Sequence, residues 1–306
     1  MHKEIPPPRE SGFTTTTPVP LYWARYGPPG VSPLLVLHGG PGAHHDYMLP
    51  QMLELAHDHE LVFYDQRGGG RSKEDSRTPT TITWRTQVAD LALVASELIA
   101  GPPSVIGYSW GGLLAILYAI DANGGGDPPL PPPVLAPRRM ALISPAPVTR
   151  EFREDFEVEL AERQAGAAVE QLRSEVVGTG LRTRDLPAYR QRLFEISVAG
   201  YFADPGNAQH LTPFRVTGRV QRSVWDSLAD YDLTGELSRI RCPVLILTGR
   251  EDPIPMASSQ AAAKAIPHAR LEVLDGSGHV PYVEATEALF TALRRFLAET
   301  ELVTSD

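Results

Sequence analysis

Cysteine is almost absent from this chain. Cys242 stands alone, so no disulfide can form within it, and stability has to come from a packed core. Long apolar runs are missing too. No stretch approaches the ~18 residues needed to cross a bilayer, so no membrane role is expected. Positive charge is in deficit: 28 Lys and Arg face 37 Asp and Glu, leaving a net charge of −9. Nucleic-acid binding depends on a cationic surplus to neutralise phosphates, so that partner is not expected. The start, Met1-His2-Lys3-Glu4 followed by Pro6-Pro7-Pro8, has neither the apolar segment nor the small-residue cleavage site of a secretory signal. A soluble cytoplasmic protein is the expectation. His57-Asp58-His59 lacks the i, i+4 spacing of a helical zinc site, and neither metal nor cofactor is expected. Cys242, with no base beside it in sequence, reads as a small core residue.

What the chain does have is a rhythm of short apolar runs, each closed by glycine or polar residues. Leu34–Leu37 ends in His38-Gly39-Gly40-Pro41-Gly42, and Leu61–Tyr64 ends in Asp65-Gln66-Arg67-Gly68. Val105-Ile106 leads into Gly107-Tyr108-Ser109-Trp110-Gly111-Gly112, and Met140–Ile143, Val244–Leu247 and Leu271–Leu274 follow the same plan. Runs apolar on both faces suit the buried strands of a parallel sheet. Helical stripes lie between them, such as Val88, Leu91, Ala92, Val94, Ala95 and Leu98 within 86–99, and an apolar segment at 113–120. The expected fold is α/β, with a mostly parallel central sheet flanked by helices. Residues 13–16 and 21–26 read as an antiparallel hairpin at its edge.

Between about Thr149 and Leu233 the strand rhythm stops. Charged helical patterns at 151–164, 167–177 and 187–198 take its place, and strands resume near Arg241. Residues 149–235 therefore read as a helical cap inserted into a core made of 1–148 and 236–306. Gly178, Gly180 and Gly200 are places where such a cap could bend. Residues 121–139, with Gly124-Gly125-Gly126 and Pro131-Pro132-Pro133, read as a loop.

Gly107-Tyr108-Ser109-Trp110-Gly111 fits G-x-S-x-G between a strand and a helix, the setting in which that motif presents an exposed serine nucleophile. A serine hydroxyl needs a base. In the α/β-hydrolase order an acid and then a histidine follow, and here Asp252 and His279 each sit in a loop after a strand. His279 would take the Ser109 proton, and Asp252 would orient the imidazole. Glu251 is the rival acid. The backbone N–H groups of Trp110 and Gly40 are the expected oxyanion donors. Asp65 and Arg67 are expected to pair and pin the loops beneath the site; a phosphate cradle is disfavoured because no Gly-Lys-Ser/Thr ending follows. His44 and His45 are expected to face solvent.

His38-Gly39-Gly40-Pro41-Gly42, Asp65-Gln66-Arg67-Gly68 with Ser72, and Gly107-Tyr108-Ser109-Trp110-Gly111-Gly112 together resemble the proline iminopeptidase (prolyl aminopeptidase) family of α/β-hydrolases. The likeness covers about 34–145 and 241 onward. It implies a helical cap and release of N-terminal proline or another small residue from a peptide through an acyl-enzyme, with cap carboxylates holding the free amine. Gly39, Glu195, Asp204, Trp225 and Asp226 are the candidate substrate contacts. The chain departs from the pattern in placing Pro253 where some members carry a Glu, and Trp225-Asp226 where others carry Trp-Glu. The alternatives are a carboxylesterase or amidase acting on small acyl substrates, and a non-catalytic ligand-binding relative.

Overall fold

The computed structural model describes residues 5–29, 33–73, 82–125, 134–177 and 179–299. Eight strands form one sheet: β1 (Glu10–Phe13), β2 (Tyr22–Tyr26), β3 (Leu34–Leu37), β4 (Leu61–Tyr64), β5 (Ser104–Tyr108), β6 (Arg139–Ile143), β7 (Val244–Gly249) and β8 (Ala269–Leu274). Their order is β1-β2-β4-β3-β5-β6-β7-β8. β1 and β2 are antiparallel to their neighbours, and every pairing from β4 through β8 is parallel.

The apolar runs are continuous because both faces of the sheet are covered. Along β3, Leu35 and Leu37 enter one core cluster while Leu34 and Val36 enter the other. β7 divides the same way, Val244 and Ile246 against Leu245 and Leu247. Each such side chain contributes roughly 1.5–3 kcal/mol by leaving water, and period-two alternation fixes which side it takes.

The edge hairpin forms, but its first strand lies earlier than the sequence suggests, at 10–13. The backbone N–H groups of Thr15 and Thr16 instead donate to the Glu97 carboxylate, which removes them from the ladder. Glu97 belongs to α1 (Trp84–Leu98), opened by a capping box in which Thr83 and Thr86 exchange hydrogen bonds. α2 (Trp110–Ile120) follows β5 and is buried along its whole length. It runs on past Asp121 until Asn123 and Gly124, at φ 85°, leave helical geometry and the expected loop begins; Gly126 and Pro131–Pro133 lie outside the described residues.

Between β6 and β7 the elements of the described residues are helical: α3 (Arg150–Ala165), α4 (Ala167–Val177), α5 (Leu181–Arg184), α6 (Leu186–Val198) and α7 (Gly218–Leu228), with short 3-10 turns and an isolated bridge between Thr149 and Asp232. α8 (Met256–Ala265), α9 (Pro281–Glu284) and α10 (Thr286–Ala298) complete the chain. Thr149 caps α3 by accepting from the Phe152 N–H. The inserted helices are stitched to the core. Thr217 N–H donates to the Gly42 carbonyl at 2.9 Å, Trp84 N–H to Ser227 Oγ at 2.9 Å, and Arg163 to the Glu251 carbonyl. Gly200 is a packing glycine and not a free hinge. Its N–H donates to Gln164 Oε1, and a Cβ there would come within 2.9 Å of that same atom. Gly180 takes a left-handed conformation at the start of α5, and Gly178 lies outside the described residues.

Candidate active site

Strand β5 delivers Ser109 to a turn so sharp that the residue takes φ 53°, ψ −119°. That region is costly for a side chain bearing a Cβ, on the order of 1–3 kcal/mol, and strain of this kind collects at functional sites. The glycine at 111 makes the turn possible, since a Cβ there would come within 2.3 Å of the Leu37 carbonyl oxygen. Ser109 N–H donates to the Ile143 carbonyl of the neighbouring strand, which fixes the turn in place.

His279 and Asp252 converge on this serine from loops after β8 and β7. His279 Nε2 lies 3.0 Å from Ser109 Oγ. Its Nδ1 lies 3.1 and 3.2 Å from the two oxygens of Asp252. Asp252 Oδ1 also accepts from the Ile254 N–H at 2.9 Å, so the carboxylate is held from its own loop. Both residues are buried. The inserted helices help to position the histidine: His279 N–H donates to the Tyr201 carbonyl at 2.7 Å, and the rings of Tyr201, Tyr108 and Phe156 surround the imidazole. Glu251 points elsewhere, accepting from the Ser277 N–H at 3.0 Å. A serine, an imidazole and a carboxylate linked in this order can pass a proton from hydroxyl to imidazole while the carboxylate stabilises the charge that forms.

Trp110 occupies the first position of α2, so its N–H has no acceptor within the helix. The Gly40 N–H likewise has no acceptor among the described residues, and Gly40 adopts φ +133°. Gly39 is otherwise engaged. Its N–H donates to Tyr47 Oη at 2.7 Å, and a Cβ on it would come within 3.0 Å of Ser109 Cβ. Gly39 therefore sets spacing beside the serine, and Gly40 faces the cavities.

The Asp-Gln-Arg-Gly loop corrects the expectation placed on it. Asp65 and Arg67 do not pair. Arg67 reaches α1 and grips Asp90, Nε to Oδ2 at 2.8 Å. Asp65 pairs instead with His45, Nδ1 to Oδ1 at 2.7 Å, and accepts from the Arg71 N–H at 2.8 Å. Burial would raise the Asp65 carboxyl, but these hydrogen bonds outweigh it and hold the group below the usual carboxylate range. His45 is accordingly buried, not solvent-facing, and His44 is half-buried. Gln66 joins the two glycine loops to each other. Its side chain donates to the His38 carbonyl at 2.7 Å and accepts from Trp110 Nε1 at 3.0 Å, while its backbone N–H donates to His38 Nε2. That last bond requires a neutral imidazole. Burial pushes His38 the same way, down to about 4.

Two cavities meet at Gly40, Ser109, Tyr201, Gln221 and His279. One, of about 300 Å³, is aromatic, walled by Tyr47, Tyr108, Phe194, Phe214 and Tyr282. The other, of about 280 Å³, holds Arg153, Glu157, Arg222, Trp225 and Asp226. Of the cap candidates, only Trp225 and Asp226 line it. Glu195 is buried elsewhere, its carboxylate held by Arg192 and Gln191. Asp204 caps a 3-10 turn through the Gly206 N–H. Glu157 is a cavity carboxylate that reading the sequence missed. It shares a face of α3 with Arg153, Phe156 and Leu160, and i, i+3, i+4 spacing was the available signal. Among the described residues, no group of three or more His, Cys, Asp or Glu is placed to hold a metal ion, and no helix is long and apolar enough to cross a membrane.

A mostly parallel eight-stranded sheet, with a serine on the strand-to-helix turn after β5 and helices inserted after β6, is the α/β-hydrolase fold. The chain belongs to the alpha/beta hydrolase family, whose model matches residues 34–292. Within it the chain is similar to proline iminopeptidases. That of Lactiplantibacillus plantarum is 28% identical over 290 residues, 87% of this chain and 92% of its own length. In three dimensions the chain resembles the proline iminopeptidase of Mycobacterium smegmatis, with a TM-score of 0.65 and 22% identity over 94% of this chain and 97% of that one. It also resembles an esterase from Exiguobacterium antarcticum, with a TM-score of 0.64 and 19% identity over 98% of this chain and 100% of the esterase. At those identities the structural likeness speaks for the fold alone.

Proposed function

We propose that this protein is a serine aminopeptidase that releases proline or another small residue from the N-terminus of short peptides through an acyl-enzyme. Ser109 attacks the scissile carbonyl, His279 takes its proton and returns it to the leaving amine, and Asp252 orients the imidazole. The N–H groups of Trp110 and Gly40 receive the oxyanion. The observation that carries the reading is the hydrogen-bonded chain Asp252–His279–Ser109 opening onto a cavity that contains the carboxylates of Asp226 and Glu157. A protonated α-amine placed beside Ser109 would find a negative partner there, and charge-assisted hydrogen bonds are about twice as strong as neutral ones. Asp226 is the better placed of the two, because Glu157 is already paired with Arg153 at 2.7 Å. The helices of 149–235 act as the cap that walls this site, and the similarity to proline iminopeptidases supports the same substrate class.

The test is hydrolysis of a prolyl arylamide against its N-acetylated form. Turnover of the free amine alone is expected, and equal turnover of both would remove amine recognition. A second reading, esterase or amidase action on small acyl substrates, draws on the aromatic walls of the other cavity. It predicts rapid cleavage of short-chain aryl esters with little cleavage of the arylamide.

A further inference from the structure

An open groove of about 840 Å³ runs beside the aromatic cavity and shares Phe194, Phe214 and Val216 with it. Its charged lining consists of His44, Asp46, Arg71, Lys73, Arg190 and Arg215. Asp46 is the one carboxylate among these lining residues, and both terminal nitrogens of Arg71 grip it, at 3.0 and 2.8 Å. His44 also lies near Asp46, at 3.7 Å, and burial lowers its pKa, so it adds little charge at neutral pH. Arg190 and Arg215 are different. Among the described residues, neither has a hydrogen-bond or ion-pair partner. Arg190 projects from α6, and Arg215 from the stretch before α7, so two separate parts of the cap bring their charges to one place.

Both guanidinium-bearing residues line the same groove. Acidic residues outnumber basic ones, and many arginines find carboxylates: Arg150 with Glu154, Arg173 with Glu170, Arg239 with Glu236, Arg295 with Glu272. Two guanidinium groups, unpaired among the described residues, form an anion-attracting rim at the mouth of the reaction cavity, in a setting where a focused field raises local substrate concentration.

We propose that this groove binds a carboxylate on the leaving-group side of the substrate, with Arg190 and Arg215 as its ligands. The inference rests on the aminopeptidase reading above. With the substrate amine at Asp226, the chain beyond the scissile bond leaves through the aromatic cavity and enters the groove. The site then reads both ends of a short peptide, a cation at one and an anion at the other. An extended chain advances about 3.3–3.6 Å per residue, so only a carboxylate at a matching distance gains from the groove. Guanidinium groups suit the task because their planar fork matches a carboxylate.

The experiment compares KM for prolyl-glycyl-glycine, for its C-terminal amide, and for prolyl-glycyl-glutamic acid amide, with a prolyl arylamide as reference. The amide of the first peptide is expected to show a KM about tenfold above the free acid, the size of one charge-assisted contact. That ratio should fall to about one in Arg190→Gln/Arg215→Gln, fall with added salt, and survive in part in Arg190→Lys/Arg215→Lys. A low KM for the glutamyl amide that the double Gln variant abolishes assigns the carboxylate to a side chain as well as to the C-terminus, which still supports the groove. Equal KM values for acid and amide in the unmodified protein, with the glutamyl amide no better, would overturn the proposal. So would a ratio unchanged in the double Gln variant. If the unmodified protein cleaves neither the arylamide nor any of the peptides, the aminopeptidase reading itself falls and takes the groove's role with it.

Discussion

The indole Nε1–H of Trp110 donates to Oε1 of Gln66 across 3.0 Å. Trp110 follows Ser109, and Gln66 lies in the loop after β4, so this bond ties the serine turn to a loop 44 positions away in sequence. Because Gln66 also holds His38 through its backbone N–H and its side-chain amide nitrogen, one residue sets the distance between the two proposed oxyanion donors.

Replacing Gln66 tests that role. Gln66→Leu keeps the bulk but strands the Trp110 indole N–H and the His38 carbonyl, both buried. Each orphaned group costs about 1–3 kcal/mol, so urea unfolding should show a loss of roughly 2–6 kcal/mol. Steady-state kinetics should show kcat down about tenfold with KM little changed, as expected when an interaction made mainly in the transition state is weakened.

The acid assignment separates two adjacent carboxylates. Asp252→Asn should lower kcat by about 10⁴-fold while the protein stays folded, because the amide favours the wrong imidazole tautomer. Glu251→Gln retains an acceptor for the Ser277 N–H and should leave kcat within a few-fold. The reverse pattern would move the acid to Glu251.

Amine recognition predicts a split between the cavity carboxylates. Asp226→Asn should raise KM for a prolyl arylamide by about 10- to 100-fold, the range for a hydrogen bond to a charged group. Glu157→Gln should have the smaller effect, since Arg153 already satisfies Glu157. Isothermal titration with proline as a ligand gives the same comparison without turnover.

His38 predicts a pH dependence of stability. Its folded pKa lies near 4 against 6.5 for the free side chain, with burial as the main cause. The unfolded chain therefore binds more protons between these values, so stability is fully present above about 6.5 and is lost as pH falls toward 4. The limit is on the order of 3 kcal/mol from this group, and burial depresses His44 and His59 in the same direction. Melting temperatures should fall between pH 7.5 and pH 5, and His38→Gln should show a shallower fall across that window.

The legible parts of the sequence were those in which a local constraint has a local cause. β3, β4, β5 and β7 announced themselves as apolar runs because both faces of the sheet are covered. The turn at Ser109 was visible because only glycine fits at 107 and 111. Partnerships that depend on packing were not visible. Arg67 takes Asp90 from α1 in preference to Asp65 two residues away, because the Asp65 carboxylate is already held by His45 and the Arg71 N–H. Glu195 had the right charge in the right segment, yet α6 turns it toward Arg192 and away from the cavities. Glu157 went unnoticed because a charged helix looks solvated until its face is known. The shift of β1 to 10–13 has the same origin, a carboxylate on α1 that captures the backbone N–H groups of Thr15 and Thr16.

The most direct measurement is labelling with a fluorophosphonate followed by peptide mass spectrometry. The account predicts a single adduct on Ser109, absent from Ser109→Ala and much slowed in His279→Gln, whose side chain cannot serve as the base. No adduct, an adduct on another serine, or undiminished peptide hydrolysis by Ser109→Ala would contradict it.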